Sequence, residues 1–115
     1  MKIKLSITIL LFTYLQSGIS RNLLTVAEKS DYSSTSSHRD VFDYINKLKL
    51  TSEYIRIESI ATSTEGKEIP LIVIGNPLPE TVAGMKDDKR IVVYIQGNIH
   101  AGEVEGKEAS LISGI

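Results

Sequence analysis

From residue 37 onward the apolar positions follow a period that changes along the chain. In SHRDVFDYINKLKL, Val41, Phe42, Ile45 and Leu48 fall on one helical face. Ser37 lies three residues before Asp40, a spacing suited to a capping pair, although Glu or Gln is the usual partner. The pattern predicts a helix from about His38 to Leu50. EYIRIESIA then alternates, with Ile55 and Ile57 facing one way and Arg56 and Glu58 the other, as a half-buried strand does. TSTEGKE is polar, with Gly66 supplying a turn. IPLIVIG is continuously apolar and reads as a second strand covered on both faces, with Pro70 near its start. These two strands form a hairpin.

NPLPETVAGMKDDK is a loop. RIVVYIQGNIH is a third strand, again apolar on both faces through Ile91, Val92, Val93 and Ile95, and broken at Gly97 and Asn98. EVEGKEASLISGI has the pattern of the first turns of a helix, with Gly106 counting against it. Helix, strand, strand, strand, helix predicts an α/β fold, a mixed sheet flanked by helices. The apolar density of the second and third strands calls for a larger sheet than three strands make.

The N-terminus has a different layout. MKIKLSITILLFTYLQSGIS opens on Lys2 and Lys4, runs apolar from Leu5 to Leu15, and closes on Gly18 and Ser20. That is the order of a secretory signal peptide, and the apolar stretch is short for a membrane span. The expected organisation is a signal peptide over residues 1–20, a solvated polar segment over 21–37, and a folded unit over 38–115. The mature chain would begin near Arg21 and be secreted or periplasmic, with no stable membrane span after cleavage.

Composition narrows the chemistry. The chain has no cysteine, which removes disulfides, thiolate metal sites and cysteine nucleophiles. Thirteen Lys and Arg stand against fourteen Asp and Glu, and there is no tryptophan, so neither a basic face nor a stacking platform argues for nucleic acid. Any metal must be held by His, Asp or Glu. The serines before His38 lack a His/Asp partner pattern and read as linker, and His38 reads as flanking a helix start.

His100 and Glu103 are three residues apart, between the end of the third strand and the next helix. Both side chains can converge on one point above the strand end, where open sheets place their ligands. Imidazole nitrogen and carboxylate oxygen are suitable ligands for Zn²⁺. Gly97 and Gly102 would let the backbone pass close to a metal or substrate. Glu105 and Glu108 read as acidic positions on the exposed helix face, Glu108 opposed by Lys107. By itself His-x-x-Glu is a weak signal. His100 alone can serve as a strand-end hydrogen-bonding group, and Glu103 as a helix-start carboxylate favoured by the macrodipole.

With its context the motif becomes specific. IHAGEVEGKEA after an apolar strand resembles the first zinc motif of the metallocarboxypeptidases, peptidase family M14. IESIATSTEGKEIPLIVIG resembles that family's early hairpin, whose Ser-x-x-Gly-(Lys/Arg) turn is matched by Ser63, Gly66 and Lys67. The helix from Val41 to Leu50 falls where the family has its first helix, so the resemblance covers about Asp31 to Ile115. It implies that this is an N-terminal fragment of a catalytic domain, with His100 and Glu103 as the first two ligands of a catalytic zinc. The implied activity is hydrolysis of peptide bonds near a C-terminus, with peptides or proteins as substrates. The family's third ligand, general base and substrate-carboxylate arginine lie downstream of any position here, so the chain alone should be inactive. Gly102 stands where digestive-type members carry arginine, which points to another branch. A zinc amidohydrolase of the desuccinylase and aspartoacylase branch, and a non-catalytic secreted binding domain, remain compatible with the same residues.

Overall fold

The computed structural model describes residues 23–81 and 84–113; the expected signal peptide, residues 1–20, lies outside them. Two polar helix starts organise the N-terminal half. Helix α1 (Val26–Lys29) is one turn long and is capped by Thr25, whose hydroxyl accepts from the Glu28 N–H while the Glu28 carboxylate accepts from the Thr25 N–H. Helix α2 (His38–Lys49) repeats the device: Ser37 Oγ accepts from the Asp40 N–H at 3.3 Å and Asp40 Oδ2 accepts from the Ser37 N–H at 2.9 Å. The shorter Asp closes the box that Glu or Gln more often closes.

Strands β1 (Ile55–Thr62) and β2 (Glu68–Ile74) pair antiparallel, with Ile55 opposite Ile74 and Thr62 opposite Glu68. The register slips between Ser59 and Ala61, beside Pro70. A proline has no N–H to give the ladder, so an irregularity there leaves fewer groups unpaired. The turn is built from Ser63: its Oγ accepts from the Lys67 N–H at 3.1 Å, and its carbonyl accepts from the Gly66 N–H at 2.9 Å. Gly66 has a φ of 76°, a conformation in which a Cβ would be strained. A short 3₁₀ turn (Gly84–Asp87) follows, and helix α3 (Val104–Ile112) closes the described chain.

The core forms where α2, α3 and the hairpin meet. Ile45, Tyr44 and Leu111 are buried, with Val41, Phe42, Leu48, Ile57 and Ile72 packed around them. Tyr44 is the one aromatic in the buried set, and its hydroxyl donates to the Leu111 carbonyl at 2.9 Å, which satisfies a buried polar group and ties α2 to α3. Burial pushes the Tyr44 hydroxyl pKa up, with the Glu28 carboxylate adding to the shift.

Three expectations are corrected. The run after Arg90 is not a strand: it pairs with nothing among the described residues, and Ile91 is 91% exposed. Extended backbone becomes sheet only when a neighbour takes its N–H and C=O groups. A cleft of about 690 Å³ lies between this run and β2, and among the described residues the sheet has two strands, not three. For the same reason β2 is half-buried and not covered on both faces, with Ile69 and Ile74 exposed. The segment before α2 is also more than solvated linker, since Thr25, Ala27 and Ser36 are buried. Among the described residues no helix is long and apolar enough to cross a membrane.

Candidate metal centre

The chain enters the candidate site along the run after Arg90 and turns at Asn98, whose φ is 58°. Asn tolerates this left-handed conformation better than most residues. Two donors then meet the His100 carbonyl: Asn98 Nδ2 at 3.3 Å and the Glu103 N–H at 3.0 Å. The turn brings the chain back to the start of α3, and its two stems touch. A Cβ on Gly97 would lie 2.8 Å from the Gly106 carbonyl carbon, 2.9 Å from its oxygen and 3.0 Å from the Lys107 nitrogen. Residues 98–105 are thus a loop closed by two glycines in backbone contact. This corrects the expected role of Gly97, whose missing side chain admits α3. Gly102 has open space around it. The requirement falls on position 97: a Cβ on Gly106 would make only ordinary contact, 3.4 Å from the Gly97 Cα and 3.7 Å from the Asn98 nitrogen.

His100 and Glu103 sit on this loop with Nδ1 and Oε1 2.8 Å apart. Their side chains are 78% and 58% exposed. The imidazole N–H donates to the carboxylate, and both groups are open to solvent. Glu103 occupies the N-cap of α3 but makes no capping hydrogen bond, and its carboxylate is turned to His100. One nitrogen and one oxygen donor, adjacent and open to solvent, match the ligand types zinc takes. They are two of the three that a catalytic site requires: no cluster of three or more His, Cys, Asp or Glu occurs among the described residues.

The other candidates separate cleanly. Glu105 is exposed on α3, as expected. His38 is the first residue of α2, its Nε2 lies 2.8 Å from the Glu68 carbonyl and its ring rests on Phe42, so it joins α2 to the hairpin. Glu108 is the second correction at this site. It is 8% exposed, and its carboxylate accepts from Thr35 Oγ1 at 2.6 Å, from the Ser36 N–H at 2.6 Å and from Ser36 Oγ at 3.2 Å. Burial pushes its pKa up, but the Thr35 hydroxyl, the Ser36 N–H and hydroxyl, and the Lys107 ammonium together outweigh this and leave it lowered. Lys107 adds a hydrogen bond to the Ser36 carbonyl. Ser36, one of the serines that read as linker, is therefore a partner of a buried carboxylate, together with Thr35.

The family model described as zinc carboxypeptidase matches residues 41–112. That span begins in α2, includes the hairpin and takes in the His100–Glu103 loop and α3. No curated protein and no solved structure gives a significant match.

Proposed function

The chain belongs to the zinc carboxypeptidase family, and from that premise we propose that His100 and Glu103 hold the metal of a secreted or periplasmic peptidase acting near the C-terminus of its substrates. The observation that carries this reading is the exposed His100–Glu103 pair at 2.8 Å on a loop closed by backbone contact, with Glu103 turned away from capping its own helix. When bound, zinc supplies a Lewis acid that polarises a carbonyl and lowers the pKa of a coordinated water. The imidazole and the carboxylate bind and orient it, and the closed loop keeps the two donors together. A third ligand and a carboxylate base that moves the proton are supplied, in this reading, by polypeptide beyond these 115 residues.

The 115-residue chain should therefore bind Zn²⁺ weakly and hydrolyse neither peptides nor N-acyl amino acids. A zinc titration followed by NMR tests the ligand assignment. Wild type should show shifts centred on the His100 ring and Glu103, and His100→Ala should lose them. Equal binding by wild type and His100→Ala would remove the assignment. In the longer protein, offering both peptides and N-acyl amino acids separates the peptidase reading from the amidohydrolase one. Zinc binding without turnover of either would favour a binding domain. We propose export through residues 1–20; the N-terminus of the exported product, expected near Arg21, checks it.

A further inference from the structure

Building on the proposed ligand pair, we propose that Glu108 is a positioning residue for it: by clamping α3 to residues 35 and 36, it holds the start of the helix where Glu103 meets His100. A carboxylate removed from water is costly unless its charge is met, and a helix that needed only packing here would do as well with an apolar side chain. Glu108 is instead met from two directions. Thr35 and Ser36 donate three hydrogen bonds from a segment more than seventy positions earlier, and Lys107 lies 3.4 Å from Oε1 while bonding the Ser36 carbonyl.

The clamp falls where it controls the loop. Glu108 is five residues beyond Glu103, about 7.5 Å along the axis at the helical rise. Between them is Gly106, whose contact with Gly97 closes residues 98–105. If α3 slid or rotated, that contact would open, and the His100 carbonyl would lose the Glu103 N–H that now reaches it at 3.0 Å. No other described hydrogen bond of the Glu103 side chain holds it in place, since its carboxylate bonds His100 and does not cap the helix. The orientation of the pair is thus set from the far side of α3.

Two readouts on the 115-residue chain test this, one of them without metal. In Glu108→Gln, amide exchange at Glu103 should accelerate at least tenfold more than at the β1–β2 amides. Zinc affinity at His100 and Glu103 should fall about tenfold, the lower end of the loss when supporting groups of a metal site are removed. Thr35→Val, which removes one donor, should move both readouts the same way by less. Ser37→Ala, which weakens α2 through its cap, is the control and should leave the Glu103-to-hairpin exchange ratio and the zinc affinity unchanged. Uniform acceleration across all amides in Glu108→Gln, or unchanged exchange at Glu103, would overturn the proposal. Should Glu108→Gln not fold, Thr35→Val carries the decision on both readouts. If wild type and His100→Ala bind zinc alike, it is the ligand assignment that fails, while the exchange measurement still decides whether Glu108 positions the loop.

Discussion

Helices α2 and α3 begin in opposite ways. At α2 the two capping groups turn inward on the backbone: Ser37 and Asp40 satisfy each other's N–H groups, and the Asp40 pKa is lowered, first by the Ser37 hydroxyl and then by the Ser37 N–H. At α3 the N-cap residue is Glu103, which leaves the helix uncapped and turns its carboxylate to His100. The first start is stabilised by its own sequence. The second depends on distant anchors: the Gly97–Gly106 contact, the Glu108 clamp and the Tyr44 bond to Leu111. A helix start that does not use its polar side chain for itself has that side chain available for something else.

Experiments can break or sharpen this contrast. The largest effect should come from Ile45→Ala, which empties the fully buried position in α2 and removes the surface α3 rests on. Chemical denaturation should show a loss of about 2–5 kcal/mol, the usual range for such a cavity. Next is Gly97→Ala, whose Cβ would meet only backbone atoms of Gly106 and Lys107. Overpacking of this kind costs about 1–3 kcal/mol, and NMR shifts should be concentrated in 98–105 and α3. If the shifts instead centred on α2, the loop would not be closed by this contact.

Ser37→Ala should cost about 1 kcal/mol in a denaturant titration, the typical value of a lost cap. The corresponding change at α3, Glu103→Gln, should alter stability by less than about 0.5 kcal/mol, as surface substitutions outside a cap or core do. A loss at Glu103 as large as that at Ser37 would show that Glu103 supports the helix after all. The smallest effect should be acid-dependent. The Asp40 pKa lies below its ordinary 3.8, so its contribution is complete above that value. It fades as pH falls from there through the lower folded value. Far-UV circular dichroism of wild type and Asp40→Asn should therefore differ at neutral pH and converge in strong acid.

What was legible in the sequence was what neighbouring residues settle. The Ser37–Asp40 cap, the turn at Ser63, Gly66 and Lys67, and the helical face through Val41, Ile45 and Leu48 all lie within a few positions of their causes. The His100–Glu103 pair was legible for the same reason, being three residues apart on one turn. Tyr44 was missed because its fractional burial depends on Leu111, and Glu108 because its partners are more than seventy residues away. A short-range signal existed for Tyr44, which stands three residues after Val41 and four before Leu48 on one helical face, but not for Glu108, which next to Lys107 has the composition of an exposed helix face. The run after Arg90 has the composition of a buried strand, but composition does not provide the neighbour a strand needs.

Sequence by itself therefore determined the local pieces of this protein: where helices start, how the hairpin turns, and which two donors share the loop before α3. Those features need only the spacing of a few residues and the steric and hydrogen-bonding preferences of their backbones. The tertiary structure alone decided which polar residues are buried, that two glycines bring the loop's stems together, and that an apolar run stays unpaired among the described residues. Each of these turns on segments meeting, or failing to meet, beyond the few-residue reach of a local pattern, and no such pattern records that outcome.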